Sequence, residues 1–227
     1  MCPAMNATFN PESFDVPSDG CLLCGTLEVP ANARNIIIFA HGLTSDSLSP
    51  RDRLVARALF NRGFAVLLPD LTISGADQVA RCANDPESIL QTATQLVTCI
   101  DWLTSSAATC GLRIGLFGAG SGAAAAMIAA AQRPSDVHAV VSLGGRPDLA
   151  EHLLSEVQVP TLMLAGSKDN EGQGHNRKAG MRMRRKPMLE LIHGATHLFR
   201  EPGKLEQVIS ICFLWFKANL PAAPAAA

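Results

Sequence analysis

The chain has 227 residues, is 48% hydrophobic and 17% charged, and carries a formal net charge of −1. That length can bury a sizeable core within one domain, and the composition excludes an extended disordered chain. The near-neutral charge gives no electrostatic case for nucleic acid or an anionic membrane, and no apolar run approaches the ~20 residues of a membrane span.

Residues 1–20 read as an extended lead-in, 21–220 as one domain, and 221–227 as a disordered tail of small residues. The first fourteen residues are polar and broken by proline, unlike a signal peptide. Seven scattered cysteines suit reduced thiols in a cytoplasmic protein. Residues 21–29 are a predicted strand. Cys21 and Cys24 lie within it, but residues three apart on a strand face opposite sides, and no second pair completes a zinc site.

Residues 35–40 are near-continuously apolar, as expected of a parallel strand covered on both faces. They run into His41-Gly42-Leu43-Thr44, a loop at a strand's C-terminal end, where α/β sheets bind ligands. A helix is predicted over 50–62, a strand over 64–68, a polar connection over 72–85 and an amphipathic helix over 86–104.

The strand 114–117 then enters Gly118-Ala119-Gly120-Ser121-Gly122 and an alanine-rich helix from Gly122. Two registers of this turn are open. In the favoured one, Gly118 and Gly122 flank the turn and Gly120 stands where a nucleophile would be. In the other, Ala119 and Ala123 take the flanking roles and Ser121 is the nucleophile. The central residue of such a turn adopts positive φ, which costs a non-glycine residue about 1–3 kcal/mol. Successive helical residues are rotated by roughly 100°, so a one-place shift re-aims the side chain.

Strands follow at 137–143, 160–165 and 188–192, a short helix at 149–155, and a final helix at 204–218. The stretch 171–186 reads as a loop then a helix. Its six arginines and lysines, without interleaved aromatics, mark a solvated helix face and not a nucleic-acid patch. Strands alternating with helices predict an α/β fold, a mostly parallel sheet with helices on both faces and no large lid domain.

Three loops at strand C-termini carry catalytic residue types in the order nucleophile, acid, histidine: the turn 118–122, Asp169 and His197. An acid orients an imidazole, the imidazole takes a proton, and backbone N–H groups hold an oxyanion. In this arrangement the N–H groups would be those of Ser121 and Leu43. His193 competes with His197 as the base, and His197 is preferred because it follows a Gly-Ala-Thr turn. Arg146 could bind a substrate carboxylate, with an ion pair to Asp148 the competing role. No metal constellation or phosphate-binding loop is read, and no cofactor is expected.

Several blocks together resemble the dienelactone hydrolase-like branch of the α/β-hydrolases. They are Phe39-Ala40-His41-Gly42, Ser49-Pro50-Arg51, Leu67-Leu68-Pro69-Asp70, the stretch 118–126, Gly144-Gly145-Arg146-Pro147-Asp148-Leu149, Gly166-Ser167-Lys168-Asp169, Gly194-Ala195-Thr196-His197-Leu198-Phe199 and Glu201-Pro202-Gly203. The resemblance covers about residues 20–218. It implies an α/β-hydrolase fold, Asp169 as the acid, His197 as the base and a small ester or lactone as substrate. The family carries serine or cysteine where this chain has Gly120. Alternatives from other classes are a hydrolase-fold protein that binds a small molecule or partner without catalysis, and a lyase or isomerase using the His197–Asp169 base alone.

Overall fold

Strand β3 (Asn35–Ala40) shows why the chain layers as it does. Ile36, Ile38 and Ala40 pack into one core, while Ile37 and Phe39 pack into another on the opposite face of the sheet. A strand apolar at every position can be satisfied only by burial on both faces. The computed structural model describes residues 12–18, 21–41, 49–71 and 84–220. The predicted tail 221–227, the loop residue Leu43 and most of the 72–85 connection lie outside them.

The described residues form an eight-stranded sheet in the order β1-β2-β4-β3-β5-β6-β7-β8. The remaining strands are β1 (Glu12–Ser18), β2 (Cys21–Glu28), β4 (Ala65–Pro69), β5 (Arg113–Ala119), β6 (Val137–Leu143), β7 (Thr161–Gly166) and β8 (Met188–Ile192). Strands β3 to β8 are mutually parallel, and β2 is antiparallel to both β1 and β4. The C-terminal ends of β3, β5, β6, β7 and β8 therefore share one edge of the molecule.

Helices α1 (Pro50–Phe60) and α5 (Lys204–Asn219) cover one face, through Val55, Leu59, Val208 and Phe216. Helices α2 (Pro86–Ser105), α3 (Gly122–Gln132) and α4 (Asn170–Arg182) cover the other. Local signals fix the helix starts. Ser49 caps α1 and Asp85 caps α2, each accepting a backbone N–H three residues on, and each is followed by proline at the first helical position. Helix α3 is buried from Gly122 through Ala130, because α2 and the 3-10 segment Pro147–Glu156 close over its outer side. Alanine suits such a site: it keeps helix propensity while letting neighbours approach.

Two predictions differ from the structure. The lead-in contains a strand: Glu12–Ser18 pairs along β2, with Phe14 and Val16 turned inward and Phe14 stacked on Trp102 at 5.3 Å. Only two inward side chains alternate there, too few for the period to stand out in the sequence. The stretch 171–186 begins as helix at once, because the Asp169 side chain caps α4. Its buried side is polar, with Gln173 and Asn176 bonded to backbone carbonyls, so no apolar period announced it.

Candidate active site

The turn after β5 resolves into one left-handed residue followed by a helix. Gly120 has φ 56, in the left-handed region, whereas Ser121 has φ −66 and ψ −23, already helical. The flanking glycines sit where a side chain has no room. A Cβ on Gly118 would lie 2.5 Å from Ala123 Cα, and one on Gly122 would lie 2.3 Å from the Ala40 carbonyl oxygen. The tight turn is thus centred on Gly120. Ser121 stands one place further on, 5% exposed, at the N-terminus of α3.

The Gly120 carbonyl is held by two backbone donors, Arg146 N–H at 2.8 Å and Ala123 N–H at 3.3 Å. The first ties the turn to the loop after β6. That loop begins Gly144-Gly145, and both glycines face the site. A Cβ on Gly144 would come within 3.6 Å of His197 Cε1, and one on Gly145 within 3.4 Å of the Gly120 oxygen. The dipeptide lies between His197 and the turn, and Gly145 has no room for a side chain against Ala123 Cβ and Ser142 Oγ, 2.4 and 2.5 Å from a Cβ there. The sequence offered the adjacent glycines as a signal, but they read as a simple strand end.

His197 and Asp169 come together from adjacent loops. His197 Nδ1 lies 2.8 Å from Asp169 Oδ2, while Asp169 Oδ1 accepts the Gly172 N–H at 2.9 Å. One carboxylate oxygen is fixed by the start of α4 and the other faces the imidazole. The loops themselves are tied: Lys168 N–H bonds the Ala195 carbonyl at 2.9 Å, and Gly194 N–H bonds Ser167 Oγ at 2.7 Å. Phe199, at φ 54 with its ring buried, anchors the chain two residues past His197. The His197 side chain is 56% exposed. Of the two competing histidines, His197 is the one bonded to Asp169.

A cavity of about 350 Å³ opens beside the pair, lined by His197, Asp169, Gly145, Arg146, His175 and Glu171 among others. His175 and Glu171 come from α4 and carried no motif in the sequence. Arg146 forms a bidentate pair with Asp148, at 2.9 and 3.1 Å. Asp148 is 3% exposed and also faces His175 at 3.4 Å and Lys178 at 3.9 Å. Burial pushes its carboxyl up, but the Arg146 guanidinium and the charges of His175 and Lys178 outweigh that and hold it below the usual carboxylate value. Of the two roles considered for Arg146, the structure shows the ion pair to Asp148, and the residue also lines the cavity. Leu43, the other expected oxyanion donor, lies outside the described residues.

A fixed acid–imidazole pair beside a sheet's C-terminal edge is the geometry of a general base. The comparisons bear on the family and the fold. The family model described as "Dienelactone hydrolase family" matches residues 25–210. A crystal structure of a dienelactone hydrolase from Anabaena variabilis is 38% identical, with a TM-score of 0.86 over 94% of this chain and 99% of that one. An esterase of Pyrococcus furiosus, 16% identical with a TM-score of 0.71 over 97% of each chain, shares the fold. Two curated Mycobacterium tuberculosis proteins, each named "Putative phosphoribosyl transferase", are 40% identical over 209 residues, 92% of this chain. The match takes in only 46% of those proteins, so the chain spans about half the length of these relatives. Family and fold together support a hydrolase. With the family model matched over residues 25–210 and a 38% identical member sharing the fold, the chain belongs to the dienelactone hydrolase family.

Proposed function

We propose that this chain hydrolyses small carboxylic esters or lactones, with water as the nucleophile. The observation that carries the reading is the 2.8 Å pair of His197 and Asp169 beside a turn centred on Gly120. A glycine at the strained position leaves space where a side-chain hydroxyl would stand. Water in that space is deprotonated by His197 as it attacks the acyl carbon. Asp169 orients the ring and stabilises its protonated form. The tetrahedral oxyanion is held by the Ser121 N–H and by a donor from the loop after β3, and its collapse expels the alcohol, which takes the proton back from His197.

Ser121 is not the nucleophile in this reading. Its backbone is helical and it is buried at the start of α3, off the strained position. Losing the covalent step leaves roughly 10³–10⁴-fold acceleration over water from binding and the oxyanion hole. The enzyme is accordingly slow. The name of the mycobacterial relatives belongs to proteins about twice this length, and the hydrolase reading rests instead on the site itself.

The test is hydrolysis of a short-chain aryl ester by the unmodified chain, Gly120→Ser, Ser121→Ala and His197→Ala. The expected pattern is slow turnover lost in His197→Ala, retained in Ser121→Ala, and raised by orders of magnitude in Gly120→Ser. Turnover that vanishes in Ser121→Ala transfers the nucleophile to Ser121. Absence of turnover in the unmodified chain, with gain in Gly120→Ser, leaves a hydrolase-fold binding protein.

A further inference from the structure

Two of the sequence blocks that carry the resemblance, Ser49-Pro50-Arg51 and Glu201-Pro202-Gly203, take no part in the His197–Asp169 pair. The fold nevertheless brings them together across 150 residues of chain. They line a cavity of about 470 Å³ between the start of α1 and the loop joining β8 to α5. Leu198 and Phe199 line this cavity, while His197 itself lines the one that holds His175.

The cavity's surface is mostly apolar, with Leu54, Leu198, Leu205 and Pro202 in its wall. Leu54 is 56% exposed and Leu198 42% exposed. Three polar residues of the wall, Ser49, Arg51 and Glu201, are bonded to neighbouring groups. Ser49 Oγ donates to Asp52 Oδ2 at 2.7 Å, Arg51 Nε donates to Asp52 Oδ1 at 3.0 Å, and Glu201 Oε1 accepts the Thr196 N–H at 2.9 Å. Arg51 Nη1 and Glu201 Oε2 are buried without a hydrogen-bond partner. What the cavity offers a ligand is therefore mostly apolar contact, with the exposed, charged Arg200 and Glu206 also in its lining.

The wall also belongs to the loop that carries the base. Leu198 and Phe199 follow His197 directly, and the Glu201–Thr196 bond clamps the residue before it. Phe199 N–H returns to the Thr196 carbonyl at 3.3 Å. A group seated here would lie against the backbone that positions the imidazole. The volume falls within the range of small-molecule sites, roughly 300–1,000 Å³.

We propose that this cavity binds the apolar arm of the substrate. The preferred substrate is then an ester with an alkyl or aryl arm reaching past His197 toward Leu54, and not a compact polar ester. The inference rests on the ester hydrolase reading above for its chemistry, but its binding part can be measured without turnover.

Two measurements test it. For aryl esters from acetate to hexanoate, kcat/KM is expected to rise about three- to fourfold per methylene until the arm fills the cavity. Leu54→Trp, on the exposed side of α1, is expected to flatten the hexanoate-to-acetate ratio. Separately, N-hexylacetamide, which has no ester bond, is titrated into the unmodified chain while leucine methyl resonances are followed. Saturable shifts at Leu54 and Leu198, absent with N-methylacetamide, are expected. Such shifts without any ester turnover support the cavity and sink the hydrolase reading. Turnover that is independent of chain length, with no methyl shifts, sinks the cavity and keeps the hydrolase reading. A dimer in sedimentation that Leu54→Trp disperses would give the cavity to a second copy of the chain and overturn the proposal.

Discussion

Asp169 joins two neighbours through its two carboxylate oxygens: Oδ2 lies 2.8 Å from His197 Nδ1, and Oδ1 accepts the Gly172 N–H that opens α4. The same side chain is thus a helix cap and the partner of an imidazole. These duties separate under substitution, because asparagine caps a helix about as well as aspartate but carries no charge to stabilise an imidazolium.

Asp169→Asn is accordingly expected to keep the fold within about 0.5 kcal/mol. Its ester turnover should fall about 10²–10⁴-fold. Asp169→Ala should lose turnover and also about 1 kcal/mol of stability with the cap. Thermal unfolding beside a rate assay checks this. Equal stability losses in both variants would show that the cap does not matter.

Gly120 is expected to be sensitive to any side chain, whatever its chemistry. At φ 56, Gly120→Ala should cost about 1–2 kcal/mol from backbone strain alone. Gly120→Ser should cost a similar amount while gaining rate. Denaturant melts of the two variants, read together with their turnover, separate strain from chemistry.

Gly122 is constrained by space and not by φ. A Cβ there would meet the Ala40 and His41 carbonyl oxygens at 2.3 and 2.6 Å, both rigid backbone. Gly122→Ala should cost about 1–3 kcal/mol, as overpacking does. Gly111→Ala, which meets nothing within 4 Å and lies outside the positive-φ set, should be neutral or stabilising by up to about 1 kcal/mol. Urea unfolding of the pair measures the contrast.

Asp148 should contribute to stability in a pH-dependent way. Its carboxyl is held below the ordinary value in the folded state, so its contribution is complete above the unfolded value near ~3.9. It is lost as pH falls through the folded value. Asp148→Asn should cost about 1–3 kcal/mol at neutral pH. It should also flatten the acid limb of the stability curve below about pH 4. A limb unchanged by the substitution would show that other carboxylates carry it.

Much of the molecule was legible from local chemistry. The mainly apolar runs 35–40, 137–143 and 188–192 matched strand limits residue for residue, because each is bounded by polar or turn-forming residues. Proline after Ser49 and after Asp85 marked two helix starts. The order of turn, Asp169 and His197 was read from loop positions alone.

What tertiary structure decided are the matters of distance and register. Strand β1 exists because β2 offers it a hydrogen-bonding edge, which no property of residues 12–18 reveals. The register of the turn after β5 is set by neighbours far away in sequence, the Ala40 carbonyl against Gly122 and the Arg146 N–H on the Gly120 carbonyl. His197 and not His193 meets Asp169 because the ties between residues 166–168 and 192–195 aim that loop. Residue type fixes which groups can do chemistry, through charge, size and backbone freedom. Which of them lie within 3 Å of one another depends on contacts between strands that only the folded sheet brings together.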